Sequence, residues 1–130
     1  MVRKNPEQKL LTDVELELMS VLWKLDEGSV ADVLAQMPIE RKLAYTSVST
    51  ILRILEQKGI LSTRKEGRGH IYIPALSKAE YEAKTIKHMM THVFNGAPLA
   101  LVKQLLDTVP MNEKDLKELK ALIDQAGGKK

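Results

Sequence analysis

Thr46, Ser47, Ser49 and Thr50 place four hydroxyls within five residues, and Arg53 follows about one helical turn after Ser49 and Thr50. Hydroxyls both donate and accept, so they can bond base edges or phosphates, and a threonine methyl can touch a thymine methyl. An arginine in this position reaches either guanine O6/N7 or a phosphate. Around them lie Arg41, Lys42, Tyr45, Arg64, Lys65, Arg68 and His70. These are candidates for the DNA backbone or minor groove, and Arg53 belongs with them in its phosphate reading.

The charge distribution supports a polyanionic partner better than the total does. The net charge is +3, too small to decide anything. Residues 11–40 hold one lysine against seven carboxylates, a net of −6, whereas residues 41–70 hold seven cations against two carboxylates, a net of +5. The positive charge is concentrated where the hydroxyls are, as an electrostatic footprint for phosphate requires.

Helices and a hairpin must position these groups. Thr12-Asp13-Val14-Glu15 is a capping box opening a first helix, whose apolar stripe Val14, Leu18, Val21, Leu22 and Leu25 runs to about Leu25. Trp23 on this helix is expected in the core. Asp26-Glu27-Gly28 breaks the helix, and Ser29 caps a second with Val30, Val33, Leu34 and Met37 inward, ending at Pro38. Ile39 to Leu43 is a short connection. The spacing predicts a third helix over about 45–58, with Val48, Ile51, Leu52 and Leu55 on one face and Thr46, Ser49, Thr50, Arg53 and Gln57 on the other. Gly59 supplies the left-handed stop.

Ile60–Lys65 and His70–Pro74 alternate like strands around Glu66-Gly67-Arg68-Gly69, a hairpin turn with basic residues at its tip. Three helices followed by a hairpin form a winged helix-turn-helix, so the chain is expected to be mainly α. Residues 1–10 form a flexible, polar N-terminus, 11–75 the winged-helix domain, and 76–130 a helical dimerisation region.

Ser77 opens a fourth helix in which Ala79, Ala83, Ile86, Met90 and Val93 follow a heptad spacing. Leu99, Leu101, Val102, Leu105 and Leu106 mark a fifth. Asn112 caps a sixth with Leu116, Leu119, Ile123 and Ala126. Three such stripes exceed what a domain of this size can cover. Pairing with a second copy is expected to bury Ile86, Met90, Val93, Leu101, Val102, Leu105, Leu116, Leu119 and Ile123.

Composition closes other routes. The chain has no cysteine, which excludes disulfides, thiolate metal sites and cysteine nucleophiles, and suits a cytoplasmic location. No apolar run approaches a membrane span, and the N-terminal residues lack a secretory h-region. His88 and His92 stand i, i+4, a spacing that can bind zinc, but no glutamate intervenes as in His-Glu-x-x-His and no third ligand is apparent. No metal and no cofactor are expected. No serine or carboxylate set recommends catalysis, so the chain is not expected to be an enzyme.

Leu18-Met19-Ser20-Val21-Leu22-Trp23, Leu43-Ala44-Tyr45-Thr46-Ser47-Val48-Ser49-Thr50-Ile51-Leu52 and Gly67-Arg68-Gly69-His70-Ile71-Tyr72-Ile73-Pro74 occur in that order. In these segments the chain resembles the penicillinase-repressor family of the BlaI/MecI/CopY type, from about Thr12 to Ile123. The resemblance implies a homodimeric winged-helix repressor on a pseudo-palindromic operator, with TACA/TGTA-like half-sites. Departures are informative too. Family members carry an Arg-Leu pair late in the recognition helix, where this chain has Ile54-Leu55 and an arginine one position earlier. Cleavage by a membrane sensor peptidase at an Asn-Phe bond finds no support, since Phe94-Asn95 reverses the order. Copper sensing through C-terminal cysteines has no ligands here. The competing expectation is a winged-helix interaction module whose basic face meets an acidic protein.

Overall fold

A computed structural model describes residues 10–128. The flexible N-terminus read from residues 1–10 lies, apart from Leu10, outside the described residues. The elements run α1 (Asp13–Leu25), α2 (Val30–Gln36), a single 3-10 turn (Ile39–Arg41), α3 (Tyr45–Gln57), β1 (Leu61–Glu66), β2 (Gly69–Pro74), α4 (Lys78–His92), α5 (Pro98–Thr108) and α6 (Glu113–Gly128). The protein is a mainly helical winged helix.

Local chemistry explains most boundaries. At the start of α1, Glu15 N–H donates to the Thr12 hydroxyl at 3.2 Å and Thr12 N–H to the Glu15 carboxylate at 3.0 Å. Reciprocal boxes of the same kind start α2 with Ser29 and Asp32, α4 with Ser77 and Glu80, and α6 with Asn112 and Asp115. Each supplies partners for two amides that a helix start leaves orphaned. Helix α3 is different. Its N-cap is Ala44, no side chain bonds its first turn, and no acidic residue lies there. Gly59, at φ 83°, turns the chain out of α3, and its left-handed backbone is one that glycine adopts without steric cost.

The core lies where α1, α2, α3 and the hairpin meet. Leu18, Met19, Leu22, Val33, Val48, Leu52 and Leu55 are fully buried, with Val30, Leu61 and Tyr72 nearly so. The hairpin register pairs Leu61 with Pro74, Thr63 with Tyr72, Lys65 with His70 and Glu66 with Gly69. Gly67, at φ 61°, begins the two-residue turn, the place where a hairpin turn of this length takes glycine. Gly28, in the α1–α2 loop, adds an isolated antiparallel bridge on the other side of β2: its N–H donates to the Tyr72 carbonyl at 3.0 Å and its carbonyl accepts from Tyr72 N–H at 2.8 Å. The hairpin is therefore fastened to the helices by backbone bonds as well as by apolar packing.

Two further details differ from the sequence reading. The α2–α3 connection contains the 3-10 turn, and Lys42 after it is left-handed at φ 48° and ψ 47°. Trp23 is half-buried and packs against the core rather than within it. Its indole N–H donates to the Leu76 carbonyl at 2.9 Å, and its ring lies 5.9 Å from that of Tyr81 on α4. Tyr81 in turn accepts a bond from Leu11 N–H at 3.2 Å. The first turns of α4 are thus docked on α1.

The structure divides into two compact units, the first ending at Lys87 and the second starting at His88. In the second unit the C-terminal end of α4 and all of α5 and α6 contain no buried residue. Among the described residues no helix is long and apolar enough to cross a membrane.

Candidate nucleic-acid interface

Helix α3 presents two unlike faces because its apolar residues recur at helical spacing. Val48, Leu52 and Leu55 are buried, with Ile51 packed beside them. On the other side Thr46, Thr50, Arg53 and Gln57 form an exposed row, since they follow each other at intervals of four, three and four residues. Ser47 is exposed on one flank of that row, and Ser49, on the other, is half-buried. Thr46, Ser47, Thr50 and Ile51 line a shallow open hollow. Tyr45, at the first position of the helix, is 57% exposed. With no cap and no carboxylate at that end, the positive end of α3 is left to an external acceptor.

The hairpin adds cations at a defined orientation. Alternate residues of a strand face opposite sides. Leu61, Thr63 and Lys65 therefore share one face with Tyr72 and His70 across the ladder, and Arg64 lies on the other. The first face packs on α3 near its base, where the Thr63 hydroxyl donates to the Glu56 carboxylate at 3.3 Å. Lys65 and His70 continue it outward, with Arg68 at the tip, and all three are exposed.

Two of the sequence-selected cations are already engaged. The Arg41 Nε and Nη2 groups donate to Glu17 of α1 at 2.9–3.0 Å. Arg64 forms a two-pronged pair with Glu27 at 3.0 and 3.1 Å and adds Glu66 at 2.9 Å. These guanidiniums hold the Glu17 and Glu27 carboxyls below the usual carboxylate range, and the carboxylates hold both arginines more firmly protonated. Sequence reasoning counted Arg41 and Arg64 with the free cations. Their partners lie 24 and 37 residues away, so no local spacing announced them. Lys42, Tyr45, Arg53, Lys65, Arg68 and His70 make no such pair among the described residues.

One further pair stands behind α3. Lys58 at its C-terminal end bonds Glu15 of α1 at 2.8 Å. Burial raises the Glu15 carboxyl, but Lys58 and the Thr12 bonds lower it by more, leaving it below its ordinary value. The pair ties the two helices that carry most of the core. His88 and His92 lie with ring centroids 4.3 Å apart and planes tilted by 45°, and no group of three or more metal-ligating side chains occurs among the described residues.

The chain is 24% identical over 120 residues to the penicillinase repressor of Bacillus licheniformis, covering 92% of this chain and 94% of that protein. It is 18% identical over 115 residues to the methicillin resistance regulatory protein MecI of Mammaliicoccus sciuri, covering 88% and 94%. Among solved structures, the DNA-binding domain of the repressor BlaI superposes with a TM-score of 0.51 at 30% identity, covering 61% of this chain and 94% of that domain. A family model described as penicillinase repressor matches residues 11–125. The chain belongs to the penicillinase repressor family.

Proposed function

We propose that the protein is a homodimeric, sequence-specific DNA-binding repressor of transcription acting in the cytoplasm on a pseudo-palindromic operator. The observation that carries this reading is the outward face of α3: an exposed row of hydroxyls and an arginine on a helix whose opposite face is locked in the core. In this reading α3 enters the major groove, where a helix fits. Thr46, Ser47 and Thr50 meet base edges, and Ser49 does so from the flank. Arg53 grips a phosphate, and Lys42, Tyr45, Lys65, Arg68 and His70 hold the backbone or the adjacent minor groove. Arg41 and Arg64 contribute positive potential while bracing the scaffold. Residues 11–75 form the reading domain and residues 76–130 the dimerisation region.

Dimerisation supplies the second reader. Two copies related by a dyad place two α3 helices about 34 Å apart, one DNA turn. Repression then follows from occupancy of the operator.

The test is selection of bound duplexes from a random pool, followed by affinity measurements across salt. A two-fold-related consensus should emerge. With about six phosphates neutralised per dimer, log affinity should fall against log salt with a slope of about −5. A pool that returns no consensus, or binding indifferent to salt, contradicts the reading. A salt-sensitive complex with an acidic protein and none with duplex DNA would favour the interaction module instead.

A further inference from the structure

A cavity of about 450 Å³ lies in the first unit, behind α3 and away from its hydroxyl row. Leu10, Leu11, Ile60, Ala75 and Leu76 give it apolar walls, and Gln57, Lys58, Tyr81 and Lys84 bring polar groups to it. Its size falls within the range of small-molecule sites, about 300–1,000 Å³.

The charged groups at the cavity are donors, and the Gln57 amide beside them both donates and accepts. The Ile60 carbonyl already accepts from Ala75 and Leu76 N–H at 2.9 and 3.2 Å. At the end of α3, Lys58, Gly59 and Ile60 N–H bond the Ile54, Glu56 and Leu55 carbonyls at 3.0 Å. The Tyr81 oxygen accepts from Leu11 N–H, which leaves its own proton to give. Lys84 has no ion-pair partner among the described residues. Lys58 gives Glu15 one of its three N–H bonds and retains two. No carboxylate lines the cavity. A chamber whose charged groups are two ammoniums, with a hydroxyl donor and the neutral Gln57 amide beside them, is complementary to an amphipathic anion.

We propose that this cavity is an effector site for a small carboxylate with a hydrocarbon body, the carboxylate seated on Lys84 and Tyr81. Its place gives it leverage. An occupant touches the last residues of α3 and the first turns of α4 together, so its binding is coupled to the packing of the reading helix. The regulatory half of the proposal rests on the DNA-binding reading; the binding half does not.

Octanoate, octanol and octylammonium share a tail and differ in the head group. Calorimetry on the full chain should rank octanoate at least about tenfold tighter than octylammonium, the scale of one charge-assisted hydrogen bond. Amide spectra should move at Gly59, Ile60 and Leu76. Trp23, the one tryptophan, should change emission through Tyr81. Lys84→Gln should weaken octanoate about tenfold and leave octanol unchanged, whereas Lys84→Arg should restore octanoate binding. Equal binding of the three probes, indifference to Lys84→Gln, or shifts confined to residues 88–128 would overturn the site. Saturating octanoate should also change operator affinity at least about threefold, by differential affinity for the free and the operator-bound chain. Unchanged operator affinity with octanoate bound overturns the effector role. Octanoate binding to a chain that binds no duplex overturns the DNA reading and leaves the site standing.

Discussion

The two units of this chain are built from similar amphipathic helices and come to opposite ends. In the first, α1, α2, α3 and the hairpin close around ten buried apolar residues. In the second, Val93, Leu99, Leu122 and Ile123 are 57–79% exposed, and Leu105, Leu106, Val109 and Leu116 are 38–46% exposed. A helix stripe is only half of a contact. The first unit owns both halves of its core, and the second carries one half, spread along helices that barely pack on each other. Folding of the first unit is thus a property of one chain. On the dimer reading, order in the second is a property of two, and depends on concentration.

The comparison can be broken most forcefully at the second unit. Val102→Asp with Ile123→Asp should leave the winged helix folded while converting the dimer to monomers in sedimentation. Operator affinity should fall by about two to four orders of magnitude, because linked binding of two half-sites is lost. Leu52→Ala should do the reverse. It opens a cavity in a closed core and should cost about 2–5 kcal/mol in denaturant titration, independently of protein concentration for the first unit.

The Glu15–Lys58 pair sharpens the picture further. Lys58→Ala strands a buried carboxylate and should cost about 1–3 kcal/mol at neutral pH. The folded carboxyl lies below its ordinary value of 4.5. Its contribution is therefore full above that value and is lost as pH falls through the folded value. Glu15→Gln should flatten the loss of stability below about pH 4.5. A smaller and more selective effect is expected on α3. Thr46→Ala should reduce discrimination at one base pair by about 1–3 kcal/mol, whereas Arg68→Ala should weaken all duplexes alike and make the salt slope shallower by about one per protomer. Equal loss of specificity from both would erase the division between helix and hairpin.

Much of this architecture was legible because it is local. The Thr12 box, the Val48–Leu52–Leu55 stripe, Gly59 and the Gly67 turn are all written within a few residues. So was the hydroxyl row, although Ser49, at 100° from Val48, is half-buried and less free than its neighbours. What stayed hidden is non-local. Arg41–Glu17, Arg64–Glu27, the Gly28–Tyr72 bridge and the Trp23–Tyr81 contact join residues far apart in the chain, and no periodicity records such pairings. Val109 and Leu122 belonged to none of the expected stripes, yet they are among the exposed apolar groups of the second unit. The cavity behind α3 is likewise made by residues from four separate segments.

Lys42 has a consequence of its own. A left-handed backbone costs a side-chain-bearing residue about 1–2 kcal/mol, and glycine would adopt it freely at an added entropy cost of about 0.5–1 kcal/mol. Lys42→Gly should therefore be neutral or stabilising by up to about 1.5 kcal/mol, while removing an ammonium three residues ahead of the reading helix. A variant that withstands heat at least as well and holds its operator less tightly would mark this position as a trade of durability for grip.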